Sequence, residues 1–133
     1  MSLTDARVWL RYAEEDLVAA RALSAVPSVV PRHPAWLAQQ AAEKAIKAVL
    51  VANGRPFPRS HDLERLAGLL PDPSALTACG ADLPNLTEYA VGSRYPGDLP
   101  DDVTAEDARV AVGDAGKVVR AVRSLIEGGR QDG

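Results

Sequence analysis

The hydrophobic pattern near the start of the chain has the period of an α-helix. Between residues 3 and 25, small or apolar side chains recur alternately every four and every three residues, which places them on one helical face. These side chains are Ala6, Leu10, Ala13, Leu17 and Ala20. Three prolines at positions 27, 31 and 34 then predict a loop over residues 26–34, because proline lacks the amide donor that a helix requires.

The next segment, WLAQQAAEKAIKAVLVA, predicts a second helix that begins near Pro34. This helix is expected to end at Asn53 and Gly54, a pair typical of a left-handed helix cap. Its many alanines favour helix and leave a thin surface for close packing. Ser60 is predicted to cap a short third helix in HDLERLAGLL, which ends before Pro71.

The second half of the chain contains more residues that interrupt helices. Residues 74–89 predict one or two short helices, and residues 92–102, rich in glycine, proline and aspartate, predict a loop. Thr104 and Asp107 have the spacing of a capping box, with aspartate in place of the usual glutamate, and predict the start of a last helix. That helix is expected to end at Gly128 and Gly129.

The chain as a whole is predicted to be all-α, because no segment alternates apolar and polar residues with the period of a strand. Helices of these lengths predict an antiparallel up-and-down bundle of four to five helices. We expect a single domain over residues 1–133, with a core of about residues 3–127 and a short disordered C-terminal tail. Gly113 and Gly116 inside the last helix indicate the close approach of another helix or subunit.

Composition excludes several classes of protein. The 133 residues are 47% apolar and 25% charged, as in an ordinary globular domain. One cysteine, Cys79, and two histidines cannot build a disulfide scaffold or a four-ligand zinc site, so no metal or cofactor is expected. No apolar run approaches the length of a membrane-spanning helix, and the first residues do not resemble a secretory signal. A cytoplasmic location is therefore expected.

Charge is distributed unevenly along the chain. The formal net charge is −3, which gives no general attraction to nucleic acid. Residues 1–60 nevertheless carry 8 basic and 5 acidic side chains, whereas residues 61–133 carry 7 and 13. Any site for an anionic ligand is therefore expected in the first half.

Polar residues of the second helix form the main group of candidate site residues. Gln40, Glu43, Lys44 and Lys47 fall within one arc of that helix. Two interpretations are open: a solvated face, in which Glu43 and Lys44 form ion pairs that fix the bundle, or part of a ligand site, with Asp16 orienting a cation. The connector and the later loop add basic and aromatic candidates, since guanidinium groups suit phosphate: Arg55, Arg59, His61, Arg94 and Tyr95.

The order of four segments resembles the HEPN domain (higher eukaryotes and prokaryotes nucleotide-binding) over about residues 3–127. These segments are WLRYAEEDLVAA, QQAAEKAIKAVL, PRSHDL and SRYP, followed by a long last helix. The resemblance implies an antiparallel helical bundle that commonly forms a homodimer and is often paired with a minimal nucleotidyltransferase. In one branch of the family, the domain is a metal-independent endoribonuclease toxin that acts through an arginine and a histidine separated by four to six residues. In the other branch that motif is absent, and the domain binds nucleotides or serves as a partner module.

The histidine motif is matched only in its spacing. Arg55 and His61 are separated by five residues, but Pro56 stands where the family has a polar residue. The favoured hypothesis is that the chain binds nucleotide or nucleic-acid phosphate as the HEPN component of a toxin–antitoxin pair. Its ligand residues would be Gln40, Glu43, Lys44, Lys47, Arg59, His61, Arg94 and Tyr95. A ribonuclease that uses Arg55 and His61 and a non-catalytic interaction module are the alternatives.

Overall fold

The computed structural model describes residues 3–90 and 103–131, and all regular structure in these ranges is helical. Three long helices make the bundle: α1 (Leu3–Ser24), α2 (Arg32–Ala52) and α6 (Ala105–Gln131). Three short helices lie between α2 and α6 in the chain: α3 (Leu63–Ala67), α4 (Ser74–Thr77) and α5 (Leu83–Thr87). The all-α prediction is confirmed.

The alanine-rich helix α2 lies at the centre of the bundle and packs against both α1 and α6. Its alanines at positions 35, 38, 41, 42, 45 and 48 are fully buried, so neighbouring helices approach its backbone closely. The five periodic residues of α1 are buried as the pattern predicts, and so are their counterparts on α6. Those counterparts are Ala108, Val112, Ala115, Val119, Val122 and Ile126. Apolar burial on both sides of α2 therefore supplies the main stabilisation of the bundle.

The ends of α2 and α3 differ from the sequence predictions. Helix α2 begins at Arg32, which leaves Pro34 in its first turn, where proline is tolerated. Asp62 caps α3, not Ser60: its carboxylate accepts hydrogen bonds from the amides of Glu64 and Arg65. The Ser60 hydroxyl instead accepts from the Asp62 amide at 3.1 Å. The predicted ten-residue third helix is therefore only five residues long.

Helix α6 begins with the predicted capping box. The Asp107 amide donates to the Thr104 hydroxyl, and the Thr104 amide donates to the Asp107 carboxylate, both at 3.0 Å. The helix continues past Gly128 to Gln131, so the expected end at Gly128 and Gly129 is wrong and part of the predicted tail is helical. A β-carbon at Gly113 would meet nothing within 4 Å in the described structure, so no other helix of the described chain approaches closely there.

Gly54 turns the chain from α2 into the connector that carries Arg55, Arg59 and His61. Its φ of +63° lies in the left-handed region, which glycine adopts without steric cost. Its amide donates to the Val51 carbonyl and the next amide, that of Arg55, donates to the Leu50 carbonyl, which satisfies the last turn of α2. The connector therefore runs back alongside the second half of α2.

Within the described ranges, no helix combines the length and apolar character needed to cross a membrane.

Candidate functional site

The polar face of α2 and the returning connector form a hydrogen-bonded cluster. Gln39, Glu43 and Lys47 are four residues apart, so they lie above one another on one helical face. The connector places His61 against the same face, where its Nδ1 atom lies 2.8 Å from Oε1 of Glu43. We call Gln39, Glu43, Lys47 and His61 the Glu43 network.

Glu43 is the centre of this network and is nearly inaccessible, with 7% of its side chain exposed. Besides the His61 ring, its Oε1 accepts from Gln39 Nε2 at 3.0 Å, and its Oε2 accepts from Lys47 Nζ at 2.8 Å. The Gln39 amide also donates to the backbone carbonyl of His61 at 3.3 Å, and its oxygen accepts from Gln40 at 2.7 Å. Both oxygens of a buried carboxylate are thus satisfied, as a buried charge requires.

The environment of Glu43 keeps it charged at neutral pH. Burial acts to raise the pKa of Glu43, but the hydrogen bonds from Lys47, Gln39 and His61 and the charge of Lys47 outweigh burial, so the pKa is lowered. An ionised carboxylate can only accept, so Nδ1 of His61 must carry the proton that it shares with Glu43. Nε2 is then the nitrogen of His61 left for other partners, and 44% of this side chain is exposed.

Lys47 is held on one side by Glu43 and on the other by two aromatic rings. Its Nζ lies 5.2 Å from the centroid of Phe57 and 6.0 Å from that of Trp9. The two rings meet edge to face, with centroids 5.9 Å apart. Only 12% of the Lys47 side chain is exposed, so its ammonium is available to Glu43 and the two rings and hardly to a ligand from solvent.

Lys44 also has a carboxylate partner, on α1. Its Nζ lies 2.6 Å from Oδ2 of Asp16, and the two side chains are 29% and 20% exposed. This ion pair joins α1 to α2, as expected if Asp16 orients a cation. Glu43 pairs with Lys47 and not with Lys44, and its burial excludes a fully solvated face for this part of α2.

The basic residues of the connector point to different partners. The Arg55 guanidinium donates to the backbone carbonyl of Leu69 at 3.3 Å, so it does not share a partner with His61. Arg59 is exposed and, within the described structure, its side chain has no hydrogen bond or ion pair. Arg94 and Tyr95 lie outside the described residues. The structure thus brings together Gln40, Glu43, Lys47 and His61. Arg59, whose side chain has no partner in the described structure, precedes His61 by two residues.

Sequence reasoning missed three members of this region. Gln39 precedes Glu43 by one helical turn, so its spacing could have identified it. Trp9 precedes Leu10 of the α1 pattern and is not part of that pattern, and Phe57 stands between two prolines of the connector, where no periodic signal exists. No group of three or more potential metal ligands occurs in the parts of the chain that the structure describes.

Comparisons with known proteins place the chain in a family. The family model described as "HEPN domain" matches residues 6–125. The crystal structure of TT1696 from Thermus thermophilus is similar, with a TM-score of 0.75 and 27% identity over 90% of this chain and 96% of that one. The crystal structure of ST0689, an archaeal HEPN homologue, has a TM-score of 0.70 and 27% identity over 95% and 98%. The search of curated proteins gave no match. Because the family model spans most of its length, the chain belongs to the HEPN domain family.

Proposed function

We propose that this HEPN domain binds the phosphate of a nucleotide or nucleic acid at the edge of the Glu43 network. The observation that carries the proposal is the half-exposed His61 ring, which buried Glu43 holds through Nδ1, so that Nε2 can donate to a phosphate oxygen when the ring is protonated. A ring held in one orientation loses little conformational freedom when it binds a ligand. Arg59, two residues earlier, adds an exposed guanidinium group, the side chain best suited to phosphate.

The other predicted ligand residues have different roles in this proposal. Lys44 and Lys47 position the face through Asp16 and Glu43, because each ammonium already has a carboxylate at hydrogen-bond distance. Gln40, tied to Gln39, lies at the same face and can meet a base or ribose edge. Arg94 and Tyr95 belong to the proposal through the family resemblance alone.

In its biological setting, we propose that the domain is the HEPN component of a toxin–antitoxin pair with a minimal nucleotidyltransferase. It would act in the cytoplasm as a homodimer. Membership of the HEPN family supports the homodimer, since dimers are common in that family. Light scattering of the purified protein tests the dimer, which should have twice the mass of the 14.1 kDa chain. Co-expression with a minimal nucleotidyltransferase tests the pairing, which predicts that the two proteins purify together.

Calorimetric titration tests the binding proposal. AMP, ATP, GTP and a short single-stranded RNA are added separately to the wild type, Arg59→Gln and Arg94→Gln. Loss of a charge-assisted hydrogen bond predicts an affinity at least about tenfold lower for each variant. Arg32→Gln is the charge-matched control, because Arg32 is exposed at the far end of α2 from the connector. Equal loss in Arg32→Gln, or no binding by the wild type, would refute the proposed site and favour an interaction module.

A ribonuclease is the second candidate, favoured by the pairing of a carboxylate with an exposed imidazole. Such a pair can accept a proton at Nε2, as in general base catalysis. Arg55 would then have to leave the Leu69 carbonyl to reach the scissile phosphate. RNA cleavage that disappears in His61→Ala, with helical content retained, would support this activity. Cleavage that persists in that variant would exclude His61 as the base.

A further inference from the structure

Two arginines meet above a glycine where α1 packs against α6. A β-carbon built on Gly116 would lie 3.1 Å from Nη2 of Arg21 and 3.4 Å from Nη1 of Arg120. Both guanidinium groups therefore converge on one point, in space that any other residue at position 116 would partly fill. Gly116 is buried beneath them, although both arginines are exposed.

Neither guanidinium group has a counter-charge in the described structure. No hydrogen bond or ion pair involves the side chain of Arg21 or Arg120 there. The helical neighbours of Arg120 three and four residues away are Gly116, Lys117, Arg123 and Ser124, which include no acid. Like charges repel each other, so an anion bound between the two guanidinium groups would stabilise this arrangement.

Acidic residues on neighbouring turns are already paired with other cations. Glu14, two turns before Arg21 on α1, lies 3.1 Å from Arg123. Asp114 lies 3.6 Å from Lys117. They cannot neutralise the arginine pair without giving up these partners. The positive charge at this position is therefore local and uncompensated, in a chain whose net charge is −3.

A groove farther along the same α1–α6 contact shows the opposite arrangement. It has a volume of about 420 Å³ and is lined in part by Arg7 and Arg11, but Glu14 and Glu127 line it as well. Its charges therefore balance. Of these two positions on the α1–α6 contact, only the one at Gly116 offers guanidinium groups without acids among the described residues.

We propose that Arg21 and Arg120 form a binding site for a phosphate group above Gly116. Charge-assisted N–H···O bonds of about 2.7–2.9 Å allow one phosphate to accept from both guanidinium groups at once. The site is separate from the Glu43 network: Arg21 follows Trp9 by twelve residues, about 18 Å along α1. It therefore stands or falls independently of the function proposed above.

Titration with inorganic phosphate tests this site, with Arg21→Gln and Arg120→Gln as the variants. Each substitution should lower phosphate affinity at least about tenfold, because it removes charge-assisted hydrogen bonds. Neither should lower the melting temperature in phosphate-free buffer, since each removes one of two repelling charges. Arg65→Gln is the matched control, because it removes another exposed arginine whose side chain has no partner in the described structure; its phosphate affinity should stay within about twofold of the wild type.

Two RNA oligonucleotides identify the source of the phosphate. They share one sequence, and one carries a 5′-phosphate while the other ends in a 5′-hydroxyl. Tighter binding of the phosphorylated RNA that depends on Arg120 assigns the site to a terminal phosphomonoester. Equal binding of both RNAs that depends on Arg120 assigns it to the backbone phosphodiester. The proposal is overturned if the wild type does not bind phosphate, or if Arg65→Gln weakens phosphate binding as much as Arg21→Gln does.

Discussion

Glu43→Gln removes the negative charge of the Glu43 network while it keeps the shape of the side chain. The amide oxygen of glutamine can still accept from Gln39 and His61, but the amide nitrogen cannot accept from Lys47. Lys47 would then be a cation with only 12% of its side chain exposed and no carboxylate at 2.8 Å. The variant thus tests whether the network holds α2 and the connector together.

The expected cost follows from burial. Removal of one member of a buried ion pair destabilises a protein by about 3–5 kcal/mol. The lower end applies here, because the Lys47 ammonium keeps its contacts with the rings of Phe57 and Trp9. We therefore expect a loss of about 3 kcal/mol, or a melting temperature about 12 °C lower at roughly 4 °C per kcal/mol for a domain of this size.

Urea unfolding followed by circular dichroism at 222 nm measures this loss, with Glu14→Gln as the matched control. Glu14 is in an exposed pair with Arg123, so the same substitution there should cost less than about 1 kcal/mol. In Lys47→Met combined with Glu43→Gln, the coupling energy should exceed about 1 kcal/mol, because the two residues are in contact. Additive effects, or a Glu43→Gln loss no larger than the Glu14→Gln loss, would refute a buried ion pair at this position.

The same variant isolates a pH dependence. Because the network lowers the pKa of Glu43 below its ordinary value of 4.5, the folded protein holds its proton less tightly than the unfolded chain. The resulting stabilisation is fully present above the pKa of the unfolded state and is lost as the pH falls through the lower pKa of the folded state. The difference in unfolding free energy between wild type and Glu43→Gln should therefore shrink as the solution is acidified below about pH 4.5. A difference that stays constant down to pH 2 would contradict the pKa direction.

Three smaller effects can be measured in the same unfolding assay. Asp107→Ala should cost about 1 kcal/mol, because it removes the carboxylate that accepts from the Thr104 amide in the capping box of α6; no loss would show that this hydrogen bond does not stabilise the helix in solution. Gly113→Ala should stabilise the protein by about 1 kcal/mol, since its β-carbon meets nothing, and Gly116→Ala should gain less because a guanidinium group lies 3.1 Å away. Equal gains at both glycines would contradict that contact. Asp16→Asn should cost about 1 kcal/mol or less, as expected for a partly exposed pair with Lys44, and a loss as large as that of Glu43→Gln would contradict this view.

Helices α1 and α6 could be predicted from the sequence because each repeats its apolar pattern over four to five turns, and α2 because it is rich in alanine. The short segments could not be bounded in the same way. HDLERLAGLL contains residues that favour helix, but only Leu63–Ala67 is helical. Ser60 and Asp62 are both good caps by type, and the choice between them depends on the path of the connector, a tertiary feature that local propensity does not report.

The candidate site was predictable in its residues more than in its geometry. The α2 pattern identified Glu43 and Lys47, and the connector identified His61, but not that these three are in contact. The contact between Glu43 and His61 spans eighteen positions and depends on the left-handed turn at Gly54. The predicted pairing of Arg55 with His61 rested on sequence spacing, whereas the structure directs the Arg55 guanidinium to the Leu69 carbonyl, a partner that spacing does not reveal.

The position of Trp9 makes the Glu43 network optically visible. Its indole ring lies 6.0 Å from the Lys47 ammonium and packs edge to face on Phe57, so its emission depends on a nearby charge and a nearby ring. A ligand that draws Lys47 or His61 away from Glu43 would change the electric field at this indole. Trp36, the second of the two tryptophans, can be replaced by phenylalanine to leave Trp9 as the sole tryptophan. The protein therefore contains its own label-free reporter of events at the proposed binding face.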